Sequence, residues 1–322
     1  MSIEADYLVD RRKLRRKLTL WRVLAFVGAA VAVIALGFFA GGKDLIERQS
    51  EHVARLTIEG VITGDKRTLD AIKRVKESRN AKAVVISINS PGGTTTGSEA
   101  LHLALRDLAR AKPTVAVVTG VAASGAYIAA MGSDHIVAPQ TAIVGSIGVI
   151  IQYPNVSRLL DTVGVKFESV RSSPLKAQPS GYEPTLPEAR AALEATVADS
   201  YTWFKDMVKD RRALNDAELA KVTDGRVFTG RQGLPLKLID AIGNEAVGVS
   251  WLENEKKIAK NLPIRDYRRE SSDRLGLLSA SAVIADMAGF SAIAESLRAS
   301  QASLDVHSLD GLVSVWHPNG QN

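Results

Sequence analysis

Residues 83–93 read Ala-Val-Val-Ile-Ser-Ile-Asn-Ser-Pro-Gly-Gly. The first six are β-branched or small with almost no polar alternation, the pattern of a strand buried on both faces in a parallel sheet. The run stops at Asn89-Ser90-Pro91-Gly92-Gly93, where Pro and Gly signal a turn. Working outward, His52 to Ile58 alternates like a strand that Gly60 and Thr63-Gly64-Asp65 end, and a helix is expected from Thr68 to Ser78. Downstream, Gly97 to Ala111 sets Leu101, Leu105 and Leu108 on one helical face, and Pro113 introduces a strand from Thr114 to Val118. The order β-α-β-α predicts an α/β fold with a mainly parallel sheet and right-handed crossovers.

Beyond that strand, Thr119-Gly120-Val121-Ala122-Ala123-Ser124-Gly125-Ala126-Tyr127 turns into a helix of small residues. Asp134 to Ala138 reads as a further strand leading through Pro139 to Gly145-Ser146-Ile147-Gly148-Val149. A long helix is expected from Pro187 to Arg212, and Gly225 to Gly230 with Leu238-Ile239-Asp240 closes the patterned region. From about residue 261 the pattern weakens, although Ser279 to Leu297 is amphipathic.

The chain has 322 residues and no cysteine, which excludes disulfides, thiolate zinc sites and a cysteine nucleophile. Its net charge is +6, but residues 1–19 hold six Lys/Arg against three Asp/Glu, so half of the surplus lies in one short arm. That arm precedes LTLWRVLAFVGAAVAVIALGFFAGG, Leu18 to Gly42, interrupted only by Arg22. About 20 apolar residues after a cluster of positive charge match a membrane span with its basic end in the cytoplasm. A cleaved signal peptide is the rival, but its apolar region usually runs about 7–15 residues. The expected organisation is a basic cytoplasmic arm at 1–19, a transmembrane anchor at 20–42 and a folded domain outside. Nucleic acid is not an expected partner, because the arm accounts for the clustered charge.

A serine at a helix start, directly after a buried strand, puts its hydroxyl where helix N–H groups favour a developing negative charge. Ser124 has that setting, with small neighbours that let a peptide approach; an ordinary N-cap serine is the alternative. Gly92 and Gly93, at the end of another strand, could point an N–H at a reacting carbonyl together with Gly125, or could form a Pro-Gly turn. Of five histidines, only His135 lies near the serine in sequence, and its place within a strand beside Asp134 suits a structural role. A lysine can act as base if burial lowers its pKa from about 10.4 towards 7–8. Lys176, in Ser172-Ser173-Pro174-Leu175-Lys176-Ala177, is a candidate, although composition alone does not separate it from a surface lysine.

Taken together, these motifs resemble the bacterial signal peptide peptidase A family of Ser/Lys proteases in its short single-domain form. The resemblance covers about Val53 to Gly243 with matching spacings. It identifies Ser124 in Ala122-Ala123-Ser124-Gly125 as nucleophile, Lys176 as general base and Ser146 in Gly145-Ser146-Ile147-Gly148-Val149 as the hydroxyl that orients the lysine. Ser-Pro-Gly-Gly at 90–93 is similar to the family's oxyanion loop, which assigns Gly92, Gly93 and Gly125 to the oxyanion hole. The sequence departs from the family pattern at Ala126 and Lys237, where glycine is usual, and at Leu175, where an aromatic is usual. The resemblance implies a Clp-peptidase/crotonase-like fold of repeated β-β-α or β-α units, with a protease domain at 50–255 and an extension of unassigned role at 256–322. Clp peptidases carry a histidine where Gly145 to Ile150 has none. No cofactor or metal is implied. The implied protein is a homo-oligomer of the bacterial inner membrane, with its catalytic domain outside the cytoplasm and active sites completed across subunits. Its expected substrates are remnant signal peptides or other apolar membrane-derived peptides. Other expectations are a regulatory protease of a stomatin-like partner, a catalytically silent scaffold, or a CoA-binding hydratase on the same sheet plan.

Overall fold

The computed structural model describes residues 17–24, 28, 50–267 and 313–315. It divides into two compact units, Met1–Glu51 and His52–Asn322. In the first, residues 17–24 are helical. No helix among the described residues is long and apolar enough to cross a membrane, and most of the expected anchor at 20–42 lies outside them, as does Ser279 to Leu297.

The second unit is mixed α/β around a mostly parallel sheet. Its strands are β1 (His52–Ile62), β2 (Ala81–Thr94), β3 (Thr114–Ala123), β4 (His135–Ala138), β5 (Ile143–Gly145), β6 (Val227–Thr229), β7 (Ala241–Ile242), β8 (Ile264–Asp266) and β9 (Val313–Val315). The helices are α1 (Lys66–Glu77), α2 (Thr95–Ala111), α3 (Gly125–Ala130), α4 (Ser157–Thr162), α5 (Pro187–Arg212), α6 (Asp216–Val222), α7 (Gly230–Gly233) and α8 (Glu245–Asn254). The main path through the sheet is β6-β5-β3-β2-β1-β8. At β3 the sheet divides: Val115 to Val117 pair with β4, whereas Val121 to Ala123 pair with β5.

The unbroken apolar run of β2 is explained by its two covered faces. Val84, Ile86 and Ile88 enter the larger core beneath α1, α2 and α3, while Ala83 and Val85 enter a second core with Val115, Val117 and Leu252. Full burial of each such Val or Ile side chain contributes about 1.5–3 kcal/mol, so the central strands anchor the site that follows them. Leu101, Leu105 and Leu108 are the buried face of α2, as their spacing requires.

The strands run further than their apolar stretches. β1 passes Gly60, and after a bulge Val61 and Ile62 pair with Gly92 and Gly93, so Ser90-Pro91-Gly92-Gly93 continues β2 rather than leaving it as a free turn. Apolar runs mark only the portion of a strand covered on both faces, and here the ends are carried by backbone pairing. The sheet also passes the boundary expected at residue 255. β8 joins the free edge of β1, Tyr267 is buried behind it, and β9 pairs antiparallel with β2.

Candidate active site

Ser124 joins β3 to α3 with φ 54° and ψ −119°, the first corner of a type II′ turn and a conformation that L-residues rarely adopt. Such strain, of order 1–3 kcal/mol, persists only where the surroundings over-determine it, and it clusters at functional sites. Here the surroundings are explicit. The Ser124 N–H donates to the Gly145 carbonyl at 2.7 Å, and the Ser124 carbonyl accepts from Tyr127 and Ile128. α3 is held by the buried Tyr127 hydroxyl, which donates to the Leu238 carbonyl at 2.7 Å, and by His102, whose Nδ1–H donates to the Ile128 carbonyl at 2.8 Å. The Ser124 side chain makes no capping bond to α3, so the N-cap alternative does not describe it.

Adjacent strands bring further predicted residues beside it. The register Ala123–Gly145 places Ser146 next to Ser124, and Ser146 has φ 52°, with its N–H bound by the Arg226 carbonyl at 2.9 Å. On the other side, Ser90 pairs with Ala122, and two residues on come Gly92 and Ser124. Gly93 admits no side chain: an added Cβ would lie 1.8 Å from the Ile62 carbonyl oxygen. Ser90 fixes this strand end, its hydroxyl donating to the Gly60 carbonyl at 2.6 Å and accepting from the Gly92 N–H at 3.1 Å. Gly125 opens α3, where the first N–H groups have no intrahelical acceptor. The outer edge of Gly92–Thr94 pairs antiparallel with Val313–Val315, so it accepts an extended peptide backbone. That feature lies in weakly patterned sequence and carried no signal.

Lys176 lies on the segment between α4 and α5. It is exposed, in a turn whose Lys176 N–H bonds the Ser173 carbonyl. It lines a groove of about 940 Å³ with Ile151, Phe167, Val170, Tyr182 and Leu193, which does not include Ser124 or Ser146. Among the described residues, His102 and His135 serve packing. His135 stacks on Trp251 at 4.4 Å and His102 binds α3; burial, the main cause in both, holds them below the ordinary histidine value. Residues around Lys176 that the sequence reading passed over are Arg171 and Glu183, which pair at 2.6 Å. Opposite charges twelve residues apart in a region without periodicity offer no sequence signal.

The model of "Peptidase family S49" matches residues 106–259. "Putative protease slr0021" of Synechocystis sp. is 38% identical over 246 residues, covering 70% of this chain and 88% of its own. "Putative signal peptide peptidase SppA" of Enterococcus faecium is 28% identical over 257 residues, covering 73% of this chain and 74% of its own. Among solved structures, a mutant of the "1510-N membrane-bound stomatin-specific protease" aligns with 18% identity and a TM-score of 0.44, over 67% of this chain and 97% of that one.

Proposed function

Because the chain belongs to peptidase family S49, the signal peptide peptidase A family of serine proteases, we propose that it is a membrane-anchored endopeptidase with a Ser124–Lys176 dyad. The observation that carries the reading is the strained turn at Ser124, a buried nucleophile flanked by Ser146 and by the backbone of Gly92 and Gly93.

The peptide lies antiparallel along Gly92–Thr94, taking the edge that Val313–Val315 holds. Neutral Lys176 Nζ removes the Ser124 Oγ proton as Oγ attacks the scissile carbonyl carbon. The N–H groups of Gly125 and Gly93 receive the resulting oxyanion. The Lys176 ammonium then protonates the departing amine and leaves an acyl-Ser124. Water, losing a proton to Lys176, attacks that ester; its collapse releases the carboxylate product and returns the proton to Ser124. Ser146 accepts from or donates to the amine to hold its direction.

A lysine serves as base only when withdrawn from water. The Lys176 loop is exposed in a single chain and surrounded by solvent-facing Val163, Phe167, Val170 and Leu175, with Val170 fully exposed. Exposed apolar side chains gathered on one segment favour a covering partner. A second copy that brings Lys176 to the already buried Ser124 of its neighbour would withdraw the amine from water, so the proposed form is a homo-oligomer with shared sites. The apolar groove beside Lys176 suits small apolar side chains of signal-peptide remnants. Residues 20–42 tether the catalytic domain to the outer face of the bacterial inner membrane.

Quenched-fluorescence peptides and a fluorophosphonate probe test the dyad. Ser124→Ala is expected to lose both hydrolysis and labelling, and Lys176→Ala to lose hydrolysis with the fold unchanged by circular dichroism. Wild-type turnover by Lys176→Ala would remove the lysine from the mechanism.

A further inference from the structure

The segment that carries Lys176 has no regular element and no core beneath it: residues 166–176 are almost entirely exposed. Its shape rests on one carboxylate. Glu183 Oε2 accepts from Arg171 Nη2 at 2.6 Å and from Gln178 Nε2 at 2.6 Å, so residues five before and two after Lys176 meet on a single oxygen. The same carboxylate takes longer bonds from the Ser169 and Ser180 hydroxyls, both at 3.4 Å. Gln178 also accepts the Ser180 N–H through Oε1 at 3.2 Å. The knot is tied to the rest of the chain beside Glu183, where Tyr182 stacks on Phe167 at 4.8 Å and the Gly181 carbonyl accepts the Val156 N–H at 2.8 Å. Arg171 and Glu183 are themselves only partly exposed, at 19% and 24% of their side chains. The hydrogen bond from Arg171 is the first of the influences that hold the Glu183 carboxyl below its ordinary value.

We propose that Glu183, through Arg171 and Gln178, is a positioning residue for the general base: it cinches residues 171–178 into a closed loop and so fixes where the Lys176 amine is presented. Resting on the reading of Lys176 as base, this accounts for two features together. An otherwise unsupported loop keeps a defined turn at Ser173–Lys176, and a negative charge is held at the loop neck, bonded to Arg171 rather than to the lysine. A lysine paired directly with a carboxylate would be kept charged and unable to take a proton. With Arg171 occupying the carboxylate, the loop gains its anchor without that penalty.

The test compares Glu183→Gln, Glu183→Asp, Arg171→Ala and the double variant Arg171→Ala/Glu183→Gln, with Lys176→Ala alongside, in the full-length protein. Loosening a reacting group by about 1 Å costs up to about a hundredfold in rate, so Glu183→Gln is expected to lower kcat about ten- to a hundredfold with KM within about twofold. Glu183→Asp should recover most of the loss, and the double variant should be no worse than either single one, because all act on one clamp. The oligomer size and the melting midpoint should stay at wild-type values in Glu183→Gln, while fluorophosphonate labelling of Ser124 slows in step with kcat. Unchanged kcat in Glu183→Gln while Lys176→Ala is inactive overturns the clamp and leaves the base assignment standing. Loss of activity together with dissociation or early melting makes Glu183 merely structural and also overturns it. Activity in Lys176→Ala instead removes the premise on which the clamp rests.

Discussion

Gly93→Ala is the substitution whose outcome the geometry determines most narrowly. The new methyl carbon would stand 1.8 Å from the Ile62 carbonyl oxygen and 2.5 Å from the Ile62 nitrogen. Both are backbone atoms of the paired strand, so no side-chain rotation relieves the contact. The ends of β1 and β2 must separate by on the order of 1 Å, and overpacking of that kind costs about 1–3 kcal/mol of stability. The catalytic cost is larger, because the Gly93 N–H is assigned to the oxyanion. Alanine keeps the N–H, but the clash moves it out of line with the oxyanion, and loss of one such interaction costs up to about 10²–10³ in kcat, or roughly 2.7–4 kcal/mol. Gly148→Ala is the control, since its Cβ would meet nothing closer than Gly225 Cα at 3.7 Å. Hydrolysis of a quenched peptide and thermal melts followed by circular dichroism report the two costs separately. The expected result is a folded Gly93→Ala protein with kcat/KM reduced at least a hundredfold and Gly148→Ala near wild type. A fully active Gly93→Ala enzyme with an unchanged melting midpoint would refute both the close approach and the oxyanion role.

Three further outcomes follow from the same structure. Since Ser124 has φ 54°, Ser124→Gly should be more stable than Ser124→Ala by about 1 kcal/mol in denaturant titrations, both being inactive; the reverse order would deny the strain. His102 and His135 are held below the ordinary histidine value, so the unfolded chain takes up their protons first. Their contribution is therefore complete above about pH 6.5 and is lost as pH falls through it. The melting midpoint should drop between about pH 7 and about pH 5.5, and less so in His102→Gln/His135→Gln; an equal drop in both proteins would assign it elsewhere. Ending the chain before Val313 frees the Gly92–Thr94 edge and should lower KM for short apolar peptides, and a raised or unchanged KM would show that the edge is not the peptide path.

How much of this was legible in the sequence depended on what each residue packs against. Val84 to Ile88 and Leu101, Leu105 and Leu108 declared β2 and α2 because burial on two faces or one leaves a periodic apolar pattern. The ends of β1 and β2 are held by main-chain pairing and a bulge, to which side-chain patterns are blind, so the glycines read as a turn prove to be strand. Ser124 and the glycines stood out in the sequence as small-residue motifs at strand ends, whereas Ser146 was singled out only through the family resemblance. The Arg171–Glu183 clamp was not found, because a long-range ion pair in an aperiodic loop restricts nothing locally. β9 went unseen for a similar reason: a three-residue strand offers too short a pattern.

The sharing of one active site between copies can be measured by complementation. Ser124→Ala and Lys176→Ala proteins are co-expressed, purified as mixed oligomers and assayed against a peptide that the wild type hydrolyses and neither variant hydrolyses alone. With the hydroxyl and the amine contributed by different chains, random mixing restores about one site in four, and activity should return to that fraction of wild type. A mixed oligomer as inactive as its parents would contradict the assembly of the dyad between chains.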